Sequence, residues 1–251
     1  RVAGEHHAVA GQWREHPGDA AAAGLVAAGA MVQVQRCACG TRRVRRRLAL
    51  AQRGWDIVVH YGQSQEEAAS TVRDIEALGR RAIALQCDLS DENAVKSLLS
   101  RASQTFGAYA VPISCVVNNA SLFDYDSTED FSVARLDAHM HANLAAPILL
   151  AQSLHAMTPE GSQAVVVNLL DQKLFNLNPD FLSYTLSKAA LQTATTMLAQ
   201  ALAPKVRVVG VAPGITMVSG DQTDAGFAAA HKITPLGRSS TPDDIANAVC
   251  F

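Results

Sequence analysis

Tyr184 and Lys188 stand four residues apart in the segment Tyr184-Thr185-Leu186-Ser187-Lys188, and Asp171 lies thirteen residues before the tyrosine. On a helix, residues four apart share a face, one turn from each other. An ammonium held beside a phenol favours the phenolate and lowers the tyrosine pKa. The phenol then becomes a proton donor or acceptor usable nearer neutral pH. Taken alone, the pair also reads as a surface Tyr and Lys on an amphipathic helix, and Asp171 as a helix N-cap or turn residue. The elements around them have to decide.

From Leu48 onward the chain alternates helical and strand patterns. A helix ends over Leu48 to Arg53 with Gly54 as its stop, and Asp56 to Tyr61 reads as a buried strand. A helix follows from Ser64 to Leu78, stopping at Gly79, then a strand from Arg81 to Gln86. Ser90 or Asp91 is placed to cap a helix through Phe106. Ile113 to Val117 is an apolar strand, followed by a long helix around Ala134 to Met157. Ala164 to Leu170 is another strand, Tyr184 to Ala203 a second long helix, and Val206 to Val211 a strand that ends at Ala212-Pro213-Gly214. Short apolar strands between helices predict an α/β fold, a doubly wound, Rossmann-type parallel sheet with helices on both faces. Such sheets bind ligands at the carboxyl ends of their strands. His60, Asp88, Asn118, Asp171 and Pro213 all fall there.

Bulk properties narrow the class. The chain has 251 residues, 49% apolar and 18% charged, with a net charge of −2. That suits one large domain or two small ones, long enough to bury a full core, and gives no general attraction for nucleic acid or a membrane surface. No run of 18 apolar residues suggests a membrane span, and no secretory leader is visible. Cys37, Cys39, Cys87, Cys115 and Cys250 are odd in number and scattered, which fits reduced thiols and a cytoplasmic setting. Neither Cys37-x-Cys39 nor His6-His7 has the companion ligands of a metal site. The stretch RCACGTRRVRRR from Arg36 to Arg47 is basic but lacks the interleaved aromatics of a nucleic-acid surface.

With these residues in order, the chain from about Leu48 to Phe251 resembles the short-chain dehydrogenase/reductase family. Asn118-Asn119-Ala120 is similar to the family's N-N-A-G segment, which steadies the central sheet beside the adenosine. Asp88-Leu89 matches the aspartate near the adenine ring, and Pro213-Gly214 the loop flanking the nicotinamide. Tyr184 and Lys188 match the catalytic pair. Asn143 falls where a helix asparagine holds a water in the proton relay, although it also reads as a satisfied polar residue within a helix. Most members carry a serine where this chain has Asp171. That aspartate, Ser121 in Asn-Asn-Ala-Ser, Phe123 two residues on, and His60-Tyr61-Gly62-Gln63-Ser64 together resemble the pteridine reductases. The resemblance implies that Phe123 stacks on a pterin and that Ser121, Phe123, Asp171 and Tyr184 line the substrate site.

Cofactor choice is read at the end of the second strand, where an acid would bond a ribose 2′-hydroxyl and select NAD. His60, Tyr61, Gln63 and Ser64 include no acid, and Ser64 can donate to a 2′-phosphate, so NADPH is expected. Pteridine reductases usually carry an arginine where Gln63 stands. The resemblance further implies a pterin or folate-like small-molecule substrate and a homotetramer assembled through the two long helices. A general carbonyl or 3-oxoacyl reductase, and a non-catalytic ligand-binding protein, are the alternatives.

The pattern breaks at both ends. The family's T-G-x-x-x-G-x-G loop should span about Cys37 to Arg43, where Gly40 is the single glycine. Arginine side chains there block the close backbone approach that a pyrophosphate requires. Val32-Gln33-Val34-Gln35 occupies the first-strand position, yet alternating glutamines suit a strand with only one buried face. Residues 1–47 are therefore expected to be an aberrant segment, translated out of frame, or a divergent one, with the reductase domain at 48–251. Thr241-Pro242-Asp243-Asp244-Ile245-Ala246 starts a capped helix, after which the family's last strand is expected to be missing.

Overall fold

Burial on both faces explains why the strands are nearly continuous apolar runs. A computed structural model describes residues 30–34, 49–106, 112–216, 234 and 237–250. Six strands form one sheet: β1 (Ala30–Val34), β2 (Asp56–Tyr61), β3 (Ala82–Gln86), β4 (Ile113–Asn118), β5 (Ala164–Leu169) and β6 (Val206–Val211). Their order is β3-β2-β1-β4-β5-β6, and every described pairing is parallel. This is the doubly wound order, with its topological switch point between β1 and β4.

The period of two along each strand sorts side chains between two cores. Val58, Val116, Val166 and Val208 face one core, with Leu98 and Leu99 of α2 (Glu92–Phe106) and Leu150 and Leu154 of α4 (Ala146–Met157). Ile57, Val59, Val117 and Val167 face the other, with Leu50, with Ile75 of α1 (Gln65–Glu76) and with Ile245 of α6 (Pro242–Cys250). Asp91 rather than Ser90 caps α2, its Oδ1 accepting the Asn93 and Ala94 N–H groups at 2.9 and 3.1 Å. Gly54 takes φ 92° at the turn into β2, a left-handed value that suits glycine.

The first strand lies inside the sheet: β1 pairs with β2 along one edge and β4 along the other. Its backbone makes the ladder bonds whatever the side chains, and the sheet thus begins before Leu48. One expectation changes: the long helix around Ala134 to Met157 is not continuous. It consists of α3 (Val133–Met140), a π turn (His141–Ala145) and then α4. Pro147 explains the break, because it has no N–H to give to the carbonyl of Asn143 four residues earlier. The proposed cofactor loop at Cys37 to Arg43 lies outside the described residues.

Candidate active site

The sheet's carboxyl edge meets α5 (Leu182–Ala201), which carries Tyr184 and Lys188 on its buried face. Lys188 reaches back to the end of β5 and donates from Nζ to the Leu169 carbonyl at 2.7 Å, 5.8 Å from the Tyr184 ring centre. Burial pushes its pKa from 10.5 down to about 8, against the pull of the nearby Asp171 carboxyl. Asp171 follows β5 directly. Its Oδ1 accepts the Lys173 N–H at 2.8 Å, capping a short 3-10 turn (Gln172–Phe175), and its Oδ2 accepts the Tyr184 hydroxyl at 2.6 Å. One oxygen of Asp171 therefore serves as a cap, and the other is bonded to the Tyr184 phenol.

Asn143 lies in the π turn, fully buried. Its Oδ1 accepts the Leu122 N–H at 2.7 Å, while Nδ2 donates to the Leu122 carbonyl at 3.0 Å and to Ser187 Oγ at 2.9 Å. Ser187 in turn donates to the Tyr184 carbonyl at 2.7 Å. Both amide donors are spent, so the side chain acts as a clamp between the loop after β4 and α5. Its main-chain carbonyl receives no N–H from Pro147, four residues on.

That loop is extended, and its residues alternate in role. Leu122 is held by Asn143, and the Asp124 N–H donates to Nε2 of buried His139 at 3.3 Å. His139 Nδ1 then donates to the Arg135 carbonyl at 2.8 Å. Between these anchors Phe123 and Tyr125 project outward, 44% and 57% exposed. Phe123 stacks on Phe181 (centroids 4.3 Å apart, planes at 10°) and meets Tyr184 edge-on at 4.6 Å. Tyr125 meets Phe181 edge-on at 5.1 Å. The result is an aromatic wall beside the Tyr184 phenol. Phe181, Tyr125, Ser187 and His139 escaped the sequence reading. Phe181 was findable as the residue three before Tyr184, one turn away, and Tyr125 as the second residue after Phe123 on an extended segment.

The remaining candidates divide by burial. His60 is buried, its Nε2 within 2.8 Å of the Cys87 carbonyl, so its ring ties β2 to the exit of β3. Tyr61 packs against a core, whereas Gln63 is exposed and Ser64 half-buried at the start of α1. Exposed Asp88 accepts the Ser90 N–H and hydroxyl on Oδ1 at 2.9 and 2.8 Å, and Leu89 beside it is buried. Asn118 donates to Asn168 Oδ1 at 2.8 Å, and Asn168 to Thr195 Oγ1 at 2.9 Å, a polar ladder from β4 through β5 to α5. Ala120 is buried just beyond, and Ser121 Oγ donates to the Leu122 carbonyl at 3.3 Å. The Pro213 carbonyl accepts the Gln172 N–H at 3.0 Å, joining the loop after β6 to the turn that carries Asp171. Gly214 follows, its carbonyl accepting the Thr216 hydroxyl at 2.9 Å.

A sequence model described as enoyl-(acyl carrier protein) reductase matches residues 48–251. The chain belongs to the short-chain dehydrogenase/reductase family. Members of this oxidoreductase family are similar to it along most of its length. An uncharacterized oxidoreductase of Methylorubrum extorquens is 32% identical over 212 residues, 81% of this chain and 82% of that protein. The crystal structure of FolM alternative dihydrofolate reductase 1 from Brucella canis, complexed with NADP, is 34% identical with a TM-score of 0.79, covering 90% of this chain and 87% of that one. A short-chain dehydrogenase from Burkholderia cenocepacia, also in complex with NADP, is 31% identical with a TM-score of 0.76, covering 90% and 89%. In this short-chain reductase, no helix among the described residues is long and apolar enough to cross a membrane.

Proposed function

We propose that this protein is an NADPH-dependent reductase of a pterin or dihydrofolate-type substrate. The observation that carries the reading is the 2.6 Å bond between Tyr184 and Asp171 beside the Phe123–Phe181 wall. A serine at position 171 would only hydrogen-bond a carbonyl. A carboxyl can hold the N–H and amino groups of an aminopyrimidine and share a proton with the phenol. The wall offers a flat aromatic ring a surface beside that carboxyl. The likeness to FolM, whose crystal structure holds NADP, points the same way.

The residues fit the cofactor in two respects. The sheet has the switch-point crevice where dinucleotides bind, and the end of β2 presents Gln63 and Ser64 with no carboxylate to repel a 2′-phosphate. Tyr61, Gln63 and Ser64 would meet the phosphate end, with His60 fixing the strand behind them. Asp88, Leu89, Asn118, Ala120 and Ser121 would border the adenosine side, and Pro213, Gly214 and Lys188 the nicotinamide side. When bound, NADPH supplies a hydride to the substrate. Tyr184 delivers a proton to the adjacent ring nitrogen, Lys188 keeps the phenol acidic, and Asp171 orients the heterocycle. The Asn143 carbonyl, to which Pro147 gives no N–H, would hold the water that returns the proton to the chain of groups ending at Tyr184. Leu186 and Met197, exposed on α5, belong to a subunit contact in this reading, checked by light scattering.

The test follows NADPH consumption with dihydrobiopterin, dihydrofolate, 3-oxoacyl and simple carbonyl substrates, and repeats it with NADH. Turnover of the dihydropterins with about a tenfold or greater preference for NADPH supports the proposal. Turnover of carbonyl substrates alone, or a preference for NADH, sinks it.

A further inference from the structure

Helix α5 carries the reactive tyrosine as its third residue, yet it has no cap of its own. The residue before it, Phe181, takes φ 56° and ψ 51°, the left-handed region, and offers no side-chain acceptor. Caps are normally small polar residues in extended conformation, and a bulky aromatic in left-handed backbone is strained. The first-turn N–H groups of α5 therefore need a partner from elsewhere.

That partner is Asp126, fully buried at the end of the loop that bears Phe123 and Tyr125. Its Oδ1 accepts the Ser183 N–H at 2.9 Å and its Oδ2 accepts the Ser183 hydroxyl. Its main-chain carbonyl accepts the Leu182 N–H at 3.2 Å. All three bonds land on the two residues immediately before Tyr184. A carboxyl at a helix N-terminus is also favoured by the dipole. Asp126 touches none of Asp171, Tyr184 or Lys188 in the bonds that define the site.

We propose that Asp126 is the positioning residue for Tyr184, a remote cap that fixes the start of α5 and with it the place of the phenol against Asp171 and the aromatic wall. The same bonds hold Phe181 in its left-handed conformation, because the segment is pinned at Leu182 and Ser183 on its far side. Loss of the carboxyl frees the first turn, and the Tyr184 hydroxyl leaves its place beside Asp171. A displacement on the order of 1 Å in such a group can cost about a hundredfold in rate.

The kinetic arm of the test rests on the reductase reading; a second arm does not. Asp126→Ala is expected to lower kcat by about thirtyfold or more, with NADPH affinity within about threefold of the native protein. Asp126→Asn still accepts the Ser183 N–H, and the Ser183 hydroxyl can turn to accept from the new amide, so kcat returns to within about fivefold. The second arm is the tyrosinate absorbance titration of Tyr184, isolated by subtracting Tyr184→Phe. Asp171 bonds the phenol and Lys188 lies over its ring, so moving the phenol relative to them shifts its titration by about half a unit or more in Asp126→Ala and leaves it in place in Asp126→Asn. Should Asp126→Ala fail to fold, Ser183→Ala replaces it, since that variant keeps the N–H bond and removes only the hydroxyl. A kcat about threefold lower, with a shifted titration, then supports the proposal. Native kcat and titration in Asp126→Ala or its replacement, or equal damage in Asp126→Asn, overturns it. If the native protein turns over none of the substrates, the reductase reading fails and the titration alone decides this one.

Discussion

At the scale of single residues, the site is a set of groups whose partners are fixed before any substrate arrives. Tyr184 already donates to Asp171, and Lys188 is held by a backbone carbonyl. The two acidic groups therefore have separable roles. Tyr184→Phe removes the proton source while keeping the ring that Phe123 touches. Its kcat should fall by about a thousandfold while NADPH affinity stays within about twofold; a kcat within tenfold of native would take proton delivery away from the phenol. Asp171→Ser restores the residue type that most of the family carries. It should lower kcat/KM for a dihydropterin by about a hundredfold and cost simple carbonyl substrates much less, because only the heterocycle loses its carboxyl partner. Parallel losses on both substrate classes would assign Asp171 to general positioning. Measured with one substrate panel, the two variants separate proton delivery from recognition.

At the scale of elements, the π turn between α3 and α4 is the feature with a stated cause. Pro147 denies the Asn143 carbonyl its donor, and the Asn143 side chain clamps the wall loop to α5. Pro147→Ala supplies that N–H, lets the turn close as ordinary helix and, on the proposed relay, would take the carbonyl away from its water. The expected outcome is a kcat lower by about tenfold with unchanged NADPH affinity; an unaltered kcat would remove the carbonyl from the relay. Phe181 gives the complementary case. Phe181→Gly relieves left-handed strain of about 1–2 kcal/mol and loses a stacked pair worth about 0.5–1.5 kcal/mol. Its stability should therefore stay within about 1 kcal/mol of native, while the KM for a flat heterocycle rises severalfold; a large loss of stability would show that Phe181 belongs to the core. Strands β2 to β6 were legible because each is an apolar run with a polar exit, and Tyr184 and Lys188 because helical spacing fixes their common face. Phe181 was findable by its spacing from Tyr184, but its left-handed place before α5 was not, since cap preferences point to Ser, Thr, Asp or Asn and the actual cap, Asp126, lies 57 residues away from Ser183 in sequence. The π turn was encoded in Pro147 but concealed by an apolar pattern that runs straight through it. The first strand was legible only by its place in the order, because its glutamines interrupt the apolar run while backbone pairing along both edges holds it.

At the scale of the whole molecule, buried ionisable groups leave a signature in the pH dependence of folding. Two groups act in separate windows, one acid and one alkaline, and in both stability rises with pH. At the amino-terminal end of β2, burial would raise the pKa of Asp56, but hydrogen bonds from Arg81 and the charges of Arg80 and Arg81 outweigh it and hold the carboxyl below its usual value. A depressed carboxyl contributes stability that is present above its unfolded pKa and is lost as pH falls through the folded one. Lys188 acts at the other end. Its folded pKa of about 8 lies below the ordinary 10.5, so between those values the unfolded chain binds a proton that the folded chain has released. Stability from this group therefore rises as pH climbs from about 8 towards 10.5 and is flat below the window. Below it, the buried ammonium costs the fold about 3 kcal/mol relative to a neutral amine. Lys188→Met keeps the apolar stem and removes the charge, at the expense of one hydrogen bond worth about 1 kcal/mol. The variant should be more stable than the native protein in urea melts at pH 7 by about 1–2 kcal/mol, and the advantage should shrink steadily as pH is raised through the window. A difference that does not change with pH would place the ammonium in water rather than in the fold. A variant less stable at pH 7 would mean that the bond to the Leu169 carbonyl outweighs the burial of the charge. The expected result, a protein made firmer by removing Lys188, follows from the burial of that cation beside the Tyr184 phenol.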